Sequence, residues 1–424
     1  MRLNRITELT LPSDEDGIRQ VYRLLHALSI RATVTHSTLE THLRSQTTPS
    51  VFKRLFLPGF AFKAVVIGGG YATGRELAQY FLPSGPRGGL LGMLLAMVLW
   101  SLICIVTFLF ARSTGSRDYG AFFRHLLGPA WFLFDTAYTC AVIVGLSVFG
   151  AAAGAIVTAL FGWPEIVGTL GLIAGIAAIA AFGSDSVERL FKYATYFLYG
   201  VYALFFALTF LKSFGRIEAS FSTPYPMTHW ATGGATYAAY NAVGAVVILP
   251  VLRHLTSTKD AVISGLIAGP LAMLPAVLFF ICLAAYYPNI DATVLPSDYV
   301  LRRLNVPVFH FVFQLMILAA LLESGTSLVH AVNERVAGIL RARGHALSVA
   351  ARLWISGGML VVSIFIAARF GLVTLIARGY RALAYVFLAV YVAPLLTYGL
   401  WSFIRSRRAA IKRDELSAYF PKGP

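Results

Sequence analysis

The chain has 424 residues, of which 58% are hydrophobic and only 13% are charged, and its mean hydropathy is +0.72. A soluble domain carries about 25% charged residues, so this composition excludes an ordinary soluble enzyme. The formal net charge of +16 is explained by loops that face anionic lipid headgroups. It does not require a nucleic-acid partner.

Residues 1–57 form a polar N-terminal extension without the apolar core that a signal peptide needs. Ser13 precedes an acidic turn, which is typical of a helix N-cap. Val21, Leu24, Leu25 and Leu28 then recur at helical spacing. The extension is therefore predicted to contain one amphipathic helix, with a second short helix within 37–50.

Long apolar runs follow, and a membrane-spanning helix needs about 20 such residues. They predict one transporter-sized domain over 58–404, with a first repeat in 58–213, a second in 230–404, and a basic tail in 405–424. Ten spans are predicted, at approximately 60–82, 89–112, 129–161, 164–183, 187–212, 233–252, 260–287, 307–332, 348–369 and 382–404.

The positive charges predict the orientation. With ten spans and a cytoplasmic N-terminus, most of the 35 Lys and Arg residues fall in the tails and in the loops on the same side as the tails. This is what the positive-inside rule requires. Both termini are therefore predicted to be cytoplasmic, in what we expect to be a bacterial plasma (inner) membrane.

The stretch FKAVVIGGGYATGRELAQYF, residues 62–81, superficially resembles a dinucleotide-binding turn. That motif needs glycine at its first, third and sixth positions, followed by a second strand with an acidic residue. Gly68 and Gly70 fit, but Thr73 occupies the sixth position and a membrane span follows. A nucleotide-binding enzyme is therefore not expected, and no catalytic residues or cofactor are predicted.

Three consecutive glycines destabilise a helix by roughly 1 kcal/mol each relative to alanine. Gly68 lies about 15 Å into the first span, near the bilayer midplane. Unwound backbone is tolerated there only beside protein or a water-filled cavity, and the free amides of the following half-helix attract an anionic group. The alternative is a glycine seam for helix packing, although such seams space small residues four apart.

The sixth span, residues 233–252, contains Asn241 and Gly244 and has Pro250 near its end. It is predicted to be the second interrupted helix, because transporters with discontinuous helices place one in each half. It lies five spans after the first, and five is an odd number. The second half is therefore predicted to be inverted relative to the first.

GGGYATGRELAQYF resembles the glycine-rich signature of the YkvI-like membrane transporters, which are distant relatives of the amino acid–polyamine–organocation (APC) superfamily. YNAVGA (240–245) and ESGTSLVHAVNER (323–335) also resemble that group. The resemblance covers roughly residues 58–404. It implies an all-α membrane protein with the five-plus-five inverted repeat of the leucine-transporter (LeuT) fold.

The substrate is predicted to bind between the two interruptions. Backbone amides would hold an anionic group, while Tyr240 and Asn241 supply hydrogen bonds. The tyrosines have an alternative role as packing or interfacial anchors. The predicted binding residues are Gly68, Gly69, Gly70, Tyr71, Ala72, Thr73, Gly74, Tyr237, Tyr240, Asn241 and Gly244.

Ionisable residues inside spans are rare and indicate function. Glu76 is a candidate to bind a cation or a substrate amine, to carry a proton, or simply to pair with Arg75 or with another helix. Asp135 and Lys192 lie at similar predicted depths and could pair, and Glu323 lies near the inner third of the eighth span.

The superfamily resemblance implies a coupling-ion site where the first, fifth and eighth spans meet. Sodium-coupled members use first-span carbonyls and eighth-span hydroxyls, a role that Ser324, Thr326 and Ser327 could take. Some proton-coupled members place a lysine there, a role that Lys192 could take. Burial lowers a lysine pKa, but a snorkelling lysine at the cytoplasmic surface is the alternative.

The sequence thus predicts a secondary transporter of a small organic solute, an amino acid or a related amphoteric or carboxylated metabolite. The coupling ion would be Na⁺ or H⁺, and no other metal is expected. The alternative is a membrane sensor or structural partner that retains the fold without transporting. An uptake assay that separates Na⁺ from pH dependence distinguishes the coupling schemes.

Overall fold

This computed structural model describes residues 49–182, 184–405 and 408, and for 180–182 and 184–196 it describes the backbone alone. Both helices predicted in the N-terminal extension include residues outside this part of the chain, as does most of the basic tail. The larger of two compact units starts at Val51.

The described residues form helices joined by short turns, and none of them lies in a strand. This confirms the prediction of an all-α fold. In chain order the helices are α1 Leu57–Val66, α2 Gly69–Ala72, α3 Arg75–Tyr80, α4 Gly85–Thr114, α5 Tyr119–Leu127, α6 Trp131–Phe161, α7 Glu165–Phe182, α8 Ser184–Ser222, α9 Trp230–Asn241, α10 Gly244–Val247, α11 Thr258–Ala284, α12 Pro296–Leu304, α13 Pro307–Ala342, α14 Val349–Thr374 and α15 Arg381–Phe387.

Six stretches of the described residues are long and apolar enough to cross a membrane. They account for the ten predicted spans as follows. Three of the stretches contain more than one of these helices: Arg75–Thr114, Tyr119–Phe161 and Val349–Arg405. The last of them bends where Gly371 adopts a φ of 69°. The fourth predicted span is shorter, with its apolar part at Glu165–Ile179. The first and sixth predicted spans are divided into helices that are each too short to cross a membrane alone.

The interruption of the first span is confirmed. Ile67 has non-helical angles (φ −82°, ψ 72°) and Gly68 is extended (φ −91°, ψ −176°). Helix α1 therefore ends at Val66, before the glycine run begins at Gly68. A second turn follows at Thr73 and Gly74, where Gly74 has a φ of 75°. This left-handed conformation favours glycine, because a Cβ would make it strained.

The sixth span is also interrupted, but more mildly. Ala242 and Val243 keep right-handed helical angles, while the amides of Ala242, Ala245 and Val246 bond to carbonyls three residues back. This tighter, 3₁₀-like pattern divides α9 from α10. A true 3₁₀ segment, Leu249–His254, then contains Pro250.

The helices pack in two groups. The first contains α1, α4, α9 and α11, and α4 makes its most extensive contact with α11. The second contains α6, α7, α13 and α14. Within the first group, Trp100 Nε1 donates to the Ala238 carbonyl oxygen at 3.2 Å, which links α4 to α9. The interrupted helices α1 and α9 therefore belong to the first group, while α2, just after the first interruption, contacts α13 of the second group.

Candidate functional site

The turn after α2 is held by its own side chains. Thr73 Oγ1 donates to the Gly70 carbonyl oxygen at 2.8 Å and accepts from the Arg75 amide at 3.2 Å. The Gly74 amide donates to the Tyr71 carbonyl oxygen at 2.9 Å. These bonds satisfy polar backbone that would otherwise be costly in an apolar environment, and they place α3 in a fixed direction.

Glu76 is the first residue that this geometry brings inward. Its side chain is 5% exposed, and Oε2 accepts a hydrogen bond from the Tyr240 hydroxyl at 2.5 Å. Its other oxygen, Oε1, lies 2.5 Å from where a Cβ on Gly70 would stand. The Glu76 carboxyl thus occupies the space that a side chain at position 70 would need, which explains why this position suits glycine.

An aromatic cluster surrounds this carboxyl. The ring of Tyr240 lies 4.7 Å from that of Tyr380 and 5.6 Å from those of Tyr80 and Tyr237. The Tyr80 hydroxyl donates to the Ile376 carbonyl oxygen at 2.7 Å. Side chains from both halves of the chain thus meet at the first interruption.

A cavity of about 450 Å³ begins at Glu76 and extends back along α1 to Lys63. Helices α1, α6, α9, α13 and α15 contribute to its walls. It brings together eight of the predicted site residues: Gly68, Gly70, Glu76, Tyr240, Asn241, Glu323, Ser324 and Ser327.

The interruption in the first span also approaches α13. A methyl group added at Gly68 would lie 3.9 Å from Ser324 Oγ and 3.8 Å from the Phe149 ring. Thr326, by contrast, uses its hydroxyl to donate to the Leu322 carbonyl oxygen within its own helix, at 2.8 Å. Of the three predicted hydroxyls, Ser324 and Ser327 line the cavity.

Several predicted residues are buried in packing around the site. Tyr71 is 1% exposed and lies against Tyr202 and Phe279, with ring distances of 6.4 and 5.7 Å. Tyr237 is fully buried against Phe81 and Trp100. Packing also surrounds Ala72, Thr73, Gly74 and Gly244, and Gly69 begins α2.

Asn241 both lines the cavity and takes part in the packing of α9. It lines the cavity, yet its Nδ2 donates to the Tyr237 carbonyl oxygen at 3.1 Å in α9. Its side-chain oxygen and the second hydrogen on Nδ2 are thus the groups left for a solute.

Arg75 does not pair with Glu76. Its Nη1 donates to the carbonyl oxygens of Asp291 and Thr293 at 2.9 and 2.7 Å, and its Nη2 donates to Gln79 at 3.0 Å. The Ser297 amide also donates to the Thr73 carbonyl oxygen at 3.1 Å. These contacts link α3 and the turn before it to the segment after α11 and to the start of α12, through residues that are not among the cavity lining.

Asp135 contacts Arg335 of α13, and Arg335 also donates to the Tyr119 hydroxyl and lies 4.6 Å from that ring. The Arg335 and Asp135 side chains are 12% and 23% exposed. Each lies about one helical turn from a cavity residue, Ala331 or Tyr138. The predicted partner of Asp135, Lys192, lies in α8 with its side chain outside the described part of the structure.

Removal of the Arg335 side chain is expected to destabilise the protein. Arg335→Ala leaves the Asp135 carboxylate without this partner, and we expect a loss of roughly 2 kcal/mol, below the 3–5 kcal/mol of fully buried pairs. The matched control is Arg341→Ala, whose side chain is 63% exposed and whose surface pair is worth at most about 1 kcal/mol. Melting temperatures in one detergent measure both, and equal losses would contradict a special role for Arg335.

The sequence interpretation missed Lys63 and Tyr380. Lys63 lines the cavity, and its Nζ lies 4.4 Å from the Tyr199 ring centroid. An ionisable residue inside a span was the signal that selected Glu76, and it applies equally to Lys63. Tyr380 carried no such signal, because the predicted boundary of the last span excluded it.

Comparison with known proteins places this geometry in context. No family model matches the chain. It is similar to the uncharacterized membrane protein YkvI of Bacillus subtilis (strain 168), with 22% identity over 342 residues that cover 80% of this chain and 94% of the relative. The likeness is consistent with an integral membrane protein.

Among solved structures, the chain is similar to MhsT in complex with L-phenylalanine, with a TM-score of 0.54 and 15% identity, covering 85% of this chain and 98% of that one. The chain has the leucine-transporter (LeuT) fold. A manganese transporter of Eremococcus coleocola gives a TM-score of 0.49 at 15% identity, covering 87% of each chain. In the LeuT fold, α1–α3 and α9–α10 are the two discontinuous helices of a five-plus-five inverted repeat, as the sequence predicted.

Proposed function

We propose that this membrane protein is a secondary active transporter of a small organic solute that works by alternating access, and we expect it to have no catalytic activity. The observation that carries the proposal is the cavity of about 450 Å³ that meets both interrupted helices at Glu76 and Tyr240. Transporters of this architecture bind substrate at the midplane between discontinuous helices.

The cavity and its surroundings correspond to one state of such a cycle. The cavity lies on the Lys63 side of Glu76, while contacts of Arg75 and Ser297 close the other side. With the N-terminus cytoplasmic, as the positive charges favour, the cavity faces inward. Substrate would be released from this state toward the cytoplasm of a bacterial cell.

The coupling ion is Na⁺ or H⁺ in this proposal. The approach of Ser324 to Gly68 favours a sodium site made from first-span carbonyls and the hydroxyls of Ser324 and Ser327. Glu76, Glu323 and Lys192 are the groups that would carry a proton. In the first scheme solute uptake requires Na⁺, and in the second it follows the pH gradient.

A flux assay tests the function. The full chain in proteoliposomes should exchange a labelled solute across the bilayer when screened with amino acids, amines and carboxylates. Uptake that follows an imposed pH gradient and persists without Na⁺ supports proton coupling, whereas uptake that requires Na⁺ supports the sodium scheme. Binding without counterflow for every solute would contradict transport and favour a sensor.

A further inference from the structure

The described residues that line the cavity include more acidic than basic side chains. Among the described lining residues, Glu76 and Glu323 are acidic and Lys63 is basic. Lys63 lies before the interruption and Glu76 after it, and the Lys63 Nζ lies 4.4 Å from the Tyr199 ring centroid and 5.7 Å from that of Phe60. The described contacts of the Lys63 ammonium are therefore with these rings and not with Glu76.

Arg75 leaves Glu76 uncompensated as well, because its guanidinium donates to Asp291, Thr293 and Gln79. Within the described part of the chain, Oε2 of Glu76 accepts from Tyr240, and Oε1 has no donor although it borders the cavity. A buried carboxylate without a counter-charge is costly by several kcal/mol. The site thus fits a positive group supplied from outside.

The same geometry disfavours an anionic head group. Sequence reasoning predicted that free amides at the glycine run would bind a carboxylate. A Cβ on Gly70 would meet Glu76 Oε1 at 2.5 Å, so the protein's own carboxyl fills the space beside this part of the run. A second negative group brought there would be repelled.

The walls are suited to an organic cation rather than a bare ion. Six aromatic side chains line the cavity with Glu76: Tyr138, Phe149, Tyr199, Tyr240, Tyr380 and Phe387. Aromatic faces attract ammonium groups, and about 450 Å³ leaves room for an apolar body. Clusters of three or more metal-binding side chains are absent among the described residues.

We propose that the solute is an organic ammonium with an apolar body, whose charged nitrogen contacts Glu76 while its body lies among the aromatic rings. This rests on the proposed function, because it assigns the substrate class of the same cavity. Glu323, half-buried on α13, adds negative charge to the site. A carboxylate on the solute is not required.

Three probes with one body and different heads test the assignment: phenethylamine, 2-phenylethanol and 3-phenylpropionate. Binding to the purified full chain is measured by calorimetry or thermal shift. Phenethylamine should bind at least tenfold more tightly than the alcohol or the acid. Glu76→Gln should weaken the amine at least tenfold and leave the alcohol unchanged, whereas Glu218→Gln, at an exposed position, should change neither.

Tyr240→Phe supplies a second variant, since it removes the 2.5 Å hydrogen bond and keeps the ring. Tyr240→Phe should weaken phenethylamine binding several-fold. It therefore provides the test in the case that Glu76→Gln does not elute as a monodisperse protein. The assignment is overturned if the acid binds as tightly as the amine, if none of the probes binds, or if the amine is unaffected by both variants.

Counterflow of the same probes separates this inference from the transport proposal. Flux of 3-phenylpropionate without binding of the amine would preserve transport and overturn the ammonium assignment. Binding of phenethylamine without flux of any probe would preserve the ammonium site and overturn transport.

Discussion

Replacement of Gly70 by alanine is expected to lower solute uptake at least about tenfold, because the new methyl group would collide with the Glu76 carboxyl. A Cβ there stands 2.5 Å from Glu76 Oε1, whereas ordinary contact begins at 3.4 Å. The carboxyl must retreat and change its contact with Tyr240. A hydrogen bond to a charged group is worth about 1.5–3 kcal/mol, and 1.4 kcal/mol corresponds to tenfold in affinity.

The matched control is Gly68→Ala, two residues earlier in the same glycine run. Its Cβ would make only van der Waals contacts, at 3.8 Å with Phe149 and 3.9 Å with Ser324. Because Gly68 itself lines the cavity, uptake by this variant should fall, but by clearly less than uptake by Gly70→Ala when both are compared in proteoliposomes at equal protein content. Equal losses would mean that the run acts through its flexibility and not through the space beside Gly70.

The sequence predicts that the first helix is interrupted near these two glycines, but not the residue at which the interruption occurs. The composition and the glycine run predicted a broken first helix, because three adjacent glycines weaken a helix at the depth where a cavity can shelter unwound backbone. The structure confirms the interruption but places it at Ile67 and Gly68, with Gly69 and Gly70 already in α2. Weak helix formers show where a helix can end, while tertiary contacts decide the residue at which it does.

The partners of the charged residues could not be predicted. Glu76 and Tyr240 are separated by 164 positions, and Arg75 bonds to backbone carbonyls more than 200 positions away. Spacing along one helix gives the face on which a residue lies, but not the helix that packs against it. For that reason the sequence left a Glu76–Arg75 pair and a partner on another helix equally open.

The last span was predicted to begin at residue 382, yet helical structure continues through Leu375–Tyr380 as a π-helix. The two arginines near this boundary, Arg378 and Arg381, lowered the local hydropathy and moved the predicted start. Tyr380 was therefore treated as part of a loop, although its ring stacks near Tyr240 at 4.7 Å. Hydropathy alone misplaces a helix end where exposed charged residues lie within the helix.

Close packing of helices at glycine occurs in α11. Gly265 and Gly269 are four residues apart, the spacing by which helices approach closely in membranes. A Cβ on Gly265 would lie 2.6 Å from the Ile105 amide nitrogen and 2.7 Å from its Cα. Both are backbone atoms of α4, which cannot move aside as a side chain can.

Gly265→Ala is accordingly expected to destabilise the protein by about 1–3 kcal/mol, the usual range for overpacking. The control is Gly357→Ala in α14, where no atom lies within 4 Å of the added Cβ and alanine favours the helix by up to about 1 kcal/mol. Melting temperatures in the same detergent should fall for the first variant and stay level or rise for the second.

An equal response of the two variants would mean that α4 and α11 can separate at little cost. Their close contact has a functional consequence in the proposed cycle. Since α11 packs against α1 as well as against α4, a seam of backbone contacts would make this group of helices move as one unit when the cavity closes. A variant that separates α4 from α11 should therefore lose transport under conditions in which phenethylamine still binds, because Glu76 and Tyr240 lie outside the seam.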